Sequence, residues 1–222
     1  MLRQNWWKIL SFVLLLIAFI AGFLGDVPAK PILNETIRNL YFHVAMWFCM
    51  MILFLISLVN SIKYLRTNNI KYDWYALEYA QSGIVFGVLG LLTGMIWANY
   101  TWGKPWSNDP KQLGAAIALL IYFAYLVLRN SLTDEMRRAK TSAVYNIFAF
   151  AMLIPTIWVI PRLMESLHPG GMGNPALNTN DIDSRMRMIF WPAAVPGWVL
   201  LGVWITTLRI RLRAIADKKL NA

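Results

Sequence analysis

The stretch His43-Val-Ala-Met-Trp47-Phe-Cys49-Met-Met-Ile-Leu-Phe-Leu-Ile-Ser-Leu-Val-Asn60-Ser-Ile62 contains no Asp, Glu, Lys or Arg in 20 residues. At about 1.5 Å per residue such a helix reaches about 30 Å, the thickness of the hydrocarbon layer of a bilayer. Runs of the same character are Ile9–Leu24, Leu77–Trp97, Leu113–Leu128, Ser142–Ile160 and Met188–Leu208. They are too long and too continuously apolar for barrel strands, which extend about ten residues with inside-outside alternation. The whole chain has the same balance: 58% hydrophobic and 14% charged, against about 25% charged in soluble domains. The sequence therefore predicts an all-α integral membrane protein, a six-helix bundle forming a single domain over residues 1–222.

A formal charge of +10 raises the question of nucleic acid, and the positions of the charges answer it. With the amino terminus in the cytoplasm, 14 of the 21 Lys and Arg fall on the inner side and 7 on the outer. That two-to-one bias is a topology signal, so both termini are expected to be cytoplasmic and no nucleic-acid partner is expected. Arg3 and Lys8 before the first apolar run also resemble a secretory signal, but no Ala-x-Ala cleavage site follows and the first span is expected to be retained. Cys49 is the single cysteine, so no intrachain disulfide or thiolate metal cluster can form, and no Cys-x-x-Cys-His haem-attachment sequence occurs. Neither a Walker phosphate loop nor an Asp-rich metal loop is present, which leaves no ATPase in this chain.

Inner connections are short and basic, whereas the outer ones, Gly25–Phe42, Ala98–Gln112 and Pro161–Arg187, are longer and rich in Pro, Gly, Asn and aromatic residues. Function concentrates on such loops, so the working face is expected outside. Trp97, Tyr100, Trp102 and Trp106 crowd the outer loop 98–112 and its edge, and end at Asp109-Pro110-Lys111-Gln112, a helix-start pattern with Asp as N-cap. Two readings of the aromatics stand side by side: an interfacial belt, or a platform for a flat, apolar, partly polar ligand such as a porphyrin.

Only two histidines occur, His43 at the head of the second span and His168 after the fifth, both at the outer boundary. A helix from near Asn34 would deliver His43 to the interface, with Trp47 one turn along on the same face. Neutral imidazoles from two helices can ligate haem iron from opposite sides. Zinc is the weaker alternative, since a structural site takes four N or S ligands. Met172, Met186 and Met188 read as packing residues. Porphyrin propionates want cations, for which Arg38, Lys104, Lys111, Arg162, Arg185 and Arg187 are the outer candidates.

The pattern Trp97-Ala-x4-Trp102-Gly-x2-Trp106-x2-Asp109-Pro-Lys, together with six spans, His43 and His168, resembles the tryptophan-rich haem-handling proteins of cytochrome c maturation, the CcmC branch and its CcsA relatives. Asn108, where relatives often carry an aromatic, and Lys111, where CcmC commonly has arginine, depart from that pattern. The resemblance implies His43 and His168 as axial haem ligands, with Trp97, Trp102, Trp106 and Asp109 as the platform; of the outer cations, Arg38 and Lys111 are the ones expected at the haem. It further implies a multi-pass protein of the bacterial inner membrane that binds haem transiently and non-covalently on its periplasmic face. Delivery would be to a CcmE-type haem chaperone, with CcmA and CcmB ABC-transporter subunits and a small CcmD subunit as partners in the lipid bilayer. No bond-making residue is visible beyond iron ligation, so a delivery subunit is expected rather than a free-standing enzyme. Two other classes remain open: a transport permease, for which Glu78, Gln81 and Asn146 are the polar groups within spans, and a haem-containing electron-transfer subunit.

Overall fold

A computed structural model of the chain describes residues 5–168 and 182–220. The described residues form helices α1 (Trp6–Leu24), α2 (His43–Thr67), α3 (Ile70–Trp102), α4 (Pro110–Asn130), α5 (Glu135–Leu153), α6 (Ile160–Leu163), α7 (Ser184–Ile189) and α8 (Val195–Leu220). A 3-10 helix, Asn34–Tyr41, precedes α2, and π-helical segments Ile154–Val159 and Phe190–Ala194 join α5 to α6 and α7 to α8. Counting the joined elements as single rods gives six spans long and apolar enough to cross a membrane, as the sequence predicts.

Helix boundaries follow local chemistry. Asn69, Asp109, Asp134 and Asp183 each accept a backbone N–H from the first turn of α3, α4, α5 and α7 with a side-chain oxygen, satisfying donors that a helix start leaves open. Asn68 (φ 52°) and Gly103 (φ 73°) close α2 and α3 in the left-handed region, the usual stop for a helix. Pro155 and Pro192 fall within the two π-helical segments, where proline withholds an amide from the regular ladder. The 3-10 helix corrects the regular helix expected from Asn34. Side chains pull it tight: Arg38 bonds to the carbonyls of Gly22 and Gly25 at the end of α1, and the Asn39 amide reaches the Thr93 carbonyl on α3 at 3.3 Å.

The antiparallel α2–α3 hairpin is the spine of the bundle, turned by Asn68 and Asn69. Along it, Gly94, Gly90, Gly87 and Gly83 of α3 receive His43, Trp47, Met50 and Phe54 of α2 in turn; a Cβ on Gly94 would lie 2.5 Å from His43 Cε1, and one on Gly90 would lie 3.0 Å from Trp47 Cε2. Lipid tails give apolar helices no hydrophobic reason to associate, so close backbone approach at small residues supplies the packing. Around this spine α4 and α5 pack on one flank, while α8 packs on the other with α1 against it. Outward faces remain apolar, as at Leu120, Val127 and Phe148.

Polar groups inside the bundle are largely paired. At the end far from the histidines, Arg129 donates two 2.6 Å bonds to the Asp73 carboxylate, both side chains buried. Glu78 accepts from Arg209 at 2.8 Å and Arg213 at 3.0 Å, Gln81 accepts from Arg209, and the Asn146 amide donates to Ser57 and Ser61.

Candidate functional site

At the histidine end, where α2 begins, α3 ends and α4 begins, the bundle opens into a cavity lined by His43, Trp47, Trp97, Lys111, His168 and Lys30, the rest of its wall being mainly Leu, Ile, Met and Ala. It holds about 1180 Å³ of unfilled space, the open mouth included. Both histidines, from segments 125 positions apart in sequence, thus face one space.

Each imidazole is held through the same ring nitrogen. His43 Nδ1 lies 2.8 Å from the Gly90 carbonyl oxygen and 3.3 Å from the Thr93 hydroxyl. Its ring rests on Gly94, edge-on to Trp97 at 5.8 Å and Trp47 at 6.3 Å between centroids. Trp97 is fixed in turn, its indole donating to the Thr36 hydroxyl at 2.8 Å. His168 Nδ1 lies 3.0 Å from Asp109 Oδ1, and its ring packs edge-on to Trp102 at 4.8 Å. Among the described residues, Nε2 of each histidine has no hydrogen-bond partner. An Nδ1–H committed to a carbonyl or carboxylate is the arrangement that presents Nε2 as the lone-pair donor of a metal-ligating histidine.

Asp109 organises the His168 side. Oδ1 caps α4 by accepting the Lys111 amide at 2.9 Å, and Oδ2 accepts the Leu167 amide at 2.7 Å and the Ser166 hydroxyl at 2.8 Å. Burial works to raise the carboxyl, but the hydrogen bond and charge of His168, followed by Ser166 and Leu167, outweigh it and hold Asp109 well below the usual carboxylate range. Gln112 stiffens the approach, accepting from Ser107 and donating to the Pro105 carbonyl at 3.1 Å.

The structure redistributes the expected roles. Trp97 and Lys111 line the cavity with the histidines. Trp102, Trp106 and Asp109 do not line it, so the aromatics form no single flat floor: α3 stays helical through Trp102, which leaves Trp97 and Trp102 on its last turns. Trp102 instead buttresses His168, while Trp106 donates to Asn108 Oδ1 at 2.7 Å. Asn108 itself sits at φ 55°, a conformation asparagine tolerates far better than an aromatic residue. Arg38 is also absent from the cavity wall, being engaged by Glu35 at 2.7 Å and the end of α1. Met186 is buried packing, as expected, and Met172 lies outside the described residues. Sequence reasoning passed over Lys30, Thr36, Thr93 and Ser166; of the missed features only the glycine series on α3 carried a legible signal, its four-three-four spacing.

The donor set fits one chemistry better than the other. No group of three or more His, Cys, Asp or Glu suited to a bare metal ion occurs among the described residues, short of the four ligands a structural zinc site takes. Two imidazoles on a largely apolar cavity with two lysines in its wall suit an iron porphyrin, whose metal takes axial nitrogen and whose propionates take cations. Glu78, Gln81 and Asn146, the groups that a permease pathway would use, are instead tied to neighbours within the bundle.

Fold and site together define a multi-pass helical membrane protein with paired histidines at one end of the bundle. The family model described as CcmC, Heme exporter protein C, matches residues 2–221, and the chain belongs to that family. It is also similar to cytochrome c biogenesis proteins CcsA. The one from Cuscuta reflexa is 28% identical over 161 residues, 69% of this chain and 49% of the relative. That from Prochlorococcus marinus (strain MIT 9515) is 47% identical over 66 residues, 30% of this chain and 21% of the relative. The Arabidopsis thaliana protein is 30% identical over 99 residues, 45% of this chain and 29% of the relative. The chain spans about half or less of the length of these curated relatives.

Proposed function

We propose that this protein holds haem at the periplasmic face of a bacterial inner membrane between His43 and His168 and passes it to a CcmE-type haem chaperone during cytochrome c maturation. Haem is cargo here, and the chain supplies axial nitrogen and a largely apolar wall that carries two lysines. Lys30 and Lys111 are the propionate partners, since both line the cavity. CcmA, CcmB and CcmD subunits are the partners that accompany this step in the membrane. The observation that carries the reading is that both histidines line one cavity while each commits Nδ1 to a protein oxygen.

The test is an absorption spectrum of the purified chain after addition of ferric haem. A Soret band is expected in the wild type and is expected to weaken or shift in both His43→Ala and His168→Ala. Identical spectra in all three proteins overturn the reading. An electron-transfer role predicts that haem stays bound when the chaperone is added, whereas delivery predicts its transfer.

A further inference from the structure

The two histidines differ in what stands behind them. His43 Nδ1 faces a neutral carbonyl, Gly90 O at 2.8 Å, which also accepts from the Thr93 hydroxyl at 3.0 Å. His168 Nδ1 faces the carboxylate of Asp109 at 3.0 Å, on a side chain shut off from solvent. That carboxylate is immobilised by three further donors, the amides of Lys111 and Leu167 and the Ser166 hydroxyl. A carboxylate acceptor draws more strongly on an imidazole N–H than a shared carbonyl does, and so makes the opposite nitrogen a stronger electron-pair donor.

Resting on the haem reading above, we propose that the two ligands are unequal: His168, backed by Asp109, is the anchoring ligand, and His43 is the ligand that lets go when haem is handed on. Release then begins by breaking the bond between iron and His43 Nε2. The electron pair returns to that nitrogen, and the iron position it vacates accepts the electron pair of the incoming ligand on the acceptor. Asp109 is a positioning residue acting through His168; its added donor strength favours ferric over ferrous iron.

The experiment uses the full chain loaded with ferric haem and the variants His43→Gly, His168→Gly, Asp109→Asn and Asp109→Glu. Asparagine is as good an N-cap as aspartate, so Asp109→Asn keeps the start of α4 while removing the charge. His168→Gly is expected to lose ferric haem about tenfold more readily than His43→Gly, with added imidazole restoring the spectrum in each. Asp109→Asn is expected to raise the reduction potential of bound haem by about 59 mV, a tenfold loss of ferric preference in a one-electron couple, and Asp109→Glu to recover part of it. Equal retention in the two glycine variants overturns the proposal, as does an unmoved potential in Asp109→Asn with its Soret band intact. Either result leaves the haem reading standing. A wild type that takes up no haem overturns that reading and this inference with it.

Discussion

Gly94 on α3 is the floor on which the His43 ring lies: a single methyl there would meet Cε1 at 2.5 Å. The ring is walled by Trp47 and Trp97 as well, so the methyl displaces it from its hydrogen bond to Gly90. Overfilling a packed site costs about 1–3 kcal/mol, while alanine is otherwise the better helix residue. Gly94→Ala is expected to remain folded by circular dichroism and to bind ferric haem about tenfold more weakly. An unchanged haem titration counts against this placement of His43.

The state of Asp109 sets a pH window. Its carboxyl is depressed in the folded protein, so the stability it contributes is fully present above the unfolded value of about 3.9 and is lost as pH falls through the lower folded value. The difference in thermal midpoint between the wild type and Asp109→Asn is therefore expected to be present at about pH 5 and to shrink below about pH 4. A difference that stays the same between about pH 5 and about pH 2 contradicts the depressed carboxyl.

Cations around the cavity divide into two kinds. Arg38 clamps carbonyls at the end of α1, and its loss is expected to cost roughly 1.5–3 kcal/mol, the range for hydrogen bonds from a charged group, without moving the Soret maximum. Lys30→Ala and Lys111→Ala are expected to weaken haem retention, since both side chains line the cavity, and a titration matching the wild type in both counts against that role. Haem titrations and melting curves on the same three variants separate the two roles.

At the far end, the Asp73–Arg129 pair is buried on both sides and bidentate. Removing one partner leaves the other charge stranded, which costs about 3–5 kcal/mol. Asp73→Asn and Arg129→Met are each expected to lower the melting temperature more than Asp73→Asn/Arg129→Met together. Non-additivity in this double-mutant cycle is the readout, and strictly additive losses argue against the pair.

What could be read from sequence was governed by range. Uncharged runs define spans wherever they occur, so the six rods were legible. His43, His168, Trp97 and Lys111 were expected at one face and line one cavity. How the aromatics divide was not legible, because α3 continues past the last apolar residues to Trp102 and Gly103, beyond where hydropathy ends. The engagement of Arg38 by the carbonyls of Gly22 and Gly25 was not legible either, because backbone groups leave no side-chain pattern. The backing of His168 by Asp109 joins residues 59 apart in sequence, a relationship only the folded chain discloses.

The residue that starts α4 is also the residue that seats His168, and this makes the interval from Gly103 to Asp109 a ruler. Gln112 and Asn108 hold its bends, and both ends bear on the same imidazole, Trp102 from the side and Asp109 from behind. A chain varying by insertion and deletion is thus free to lengthen the turn Ser131–Thr133 between α4 and α5, where solvent takes up the slack. One residue added between Trp102 and Asp109 would set the aromatic buttress and the carboxylate out of step, so loop length here is as much a part of the site as the residues in it.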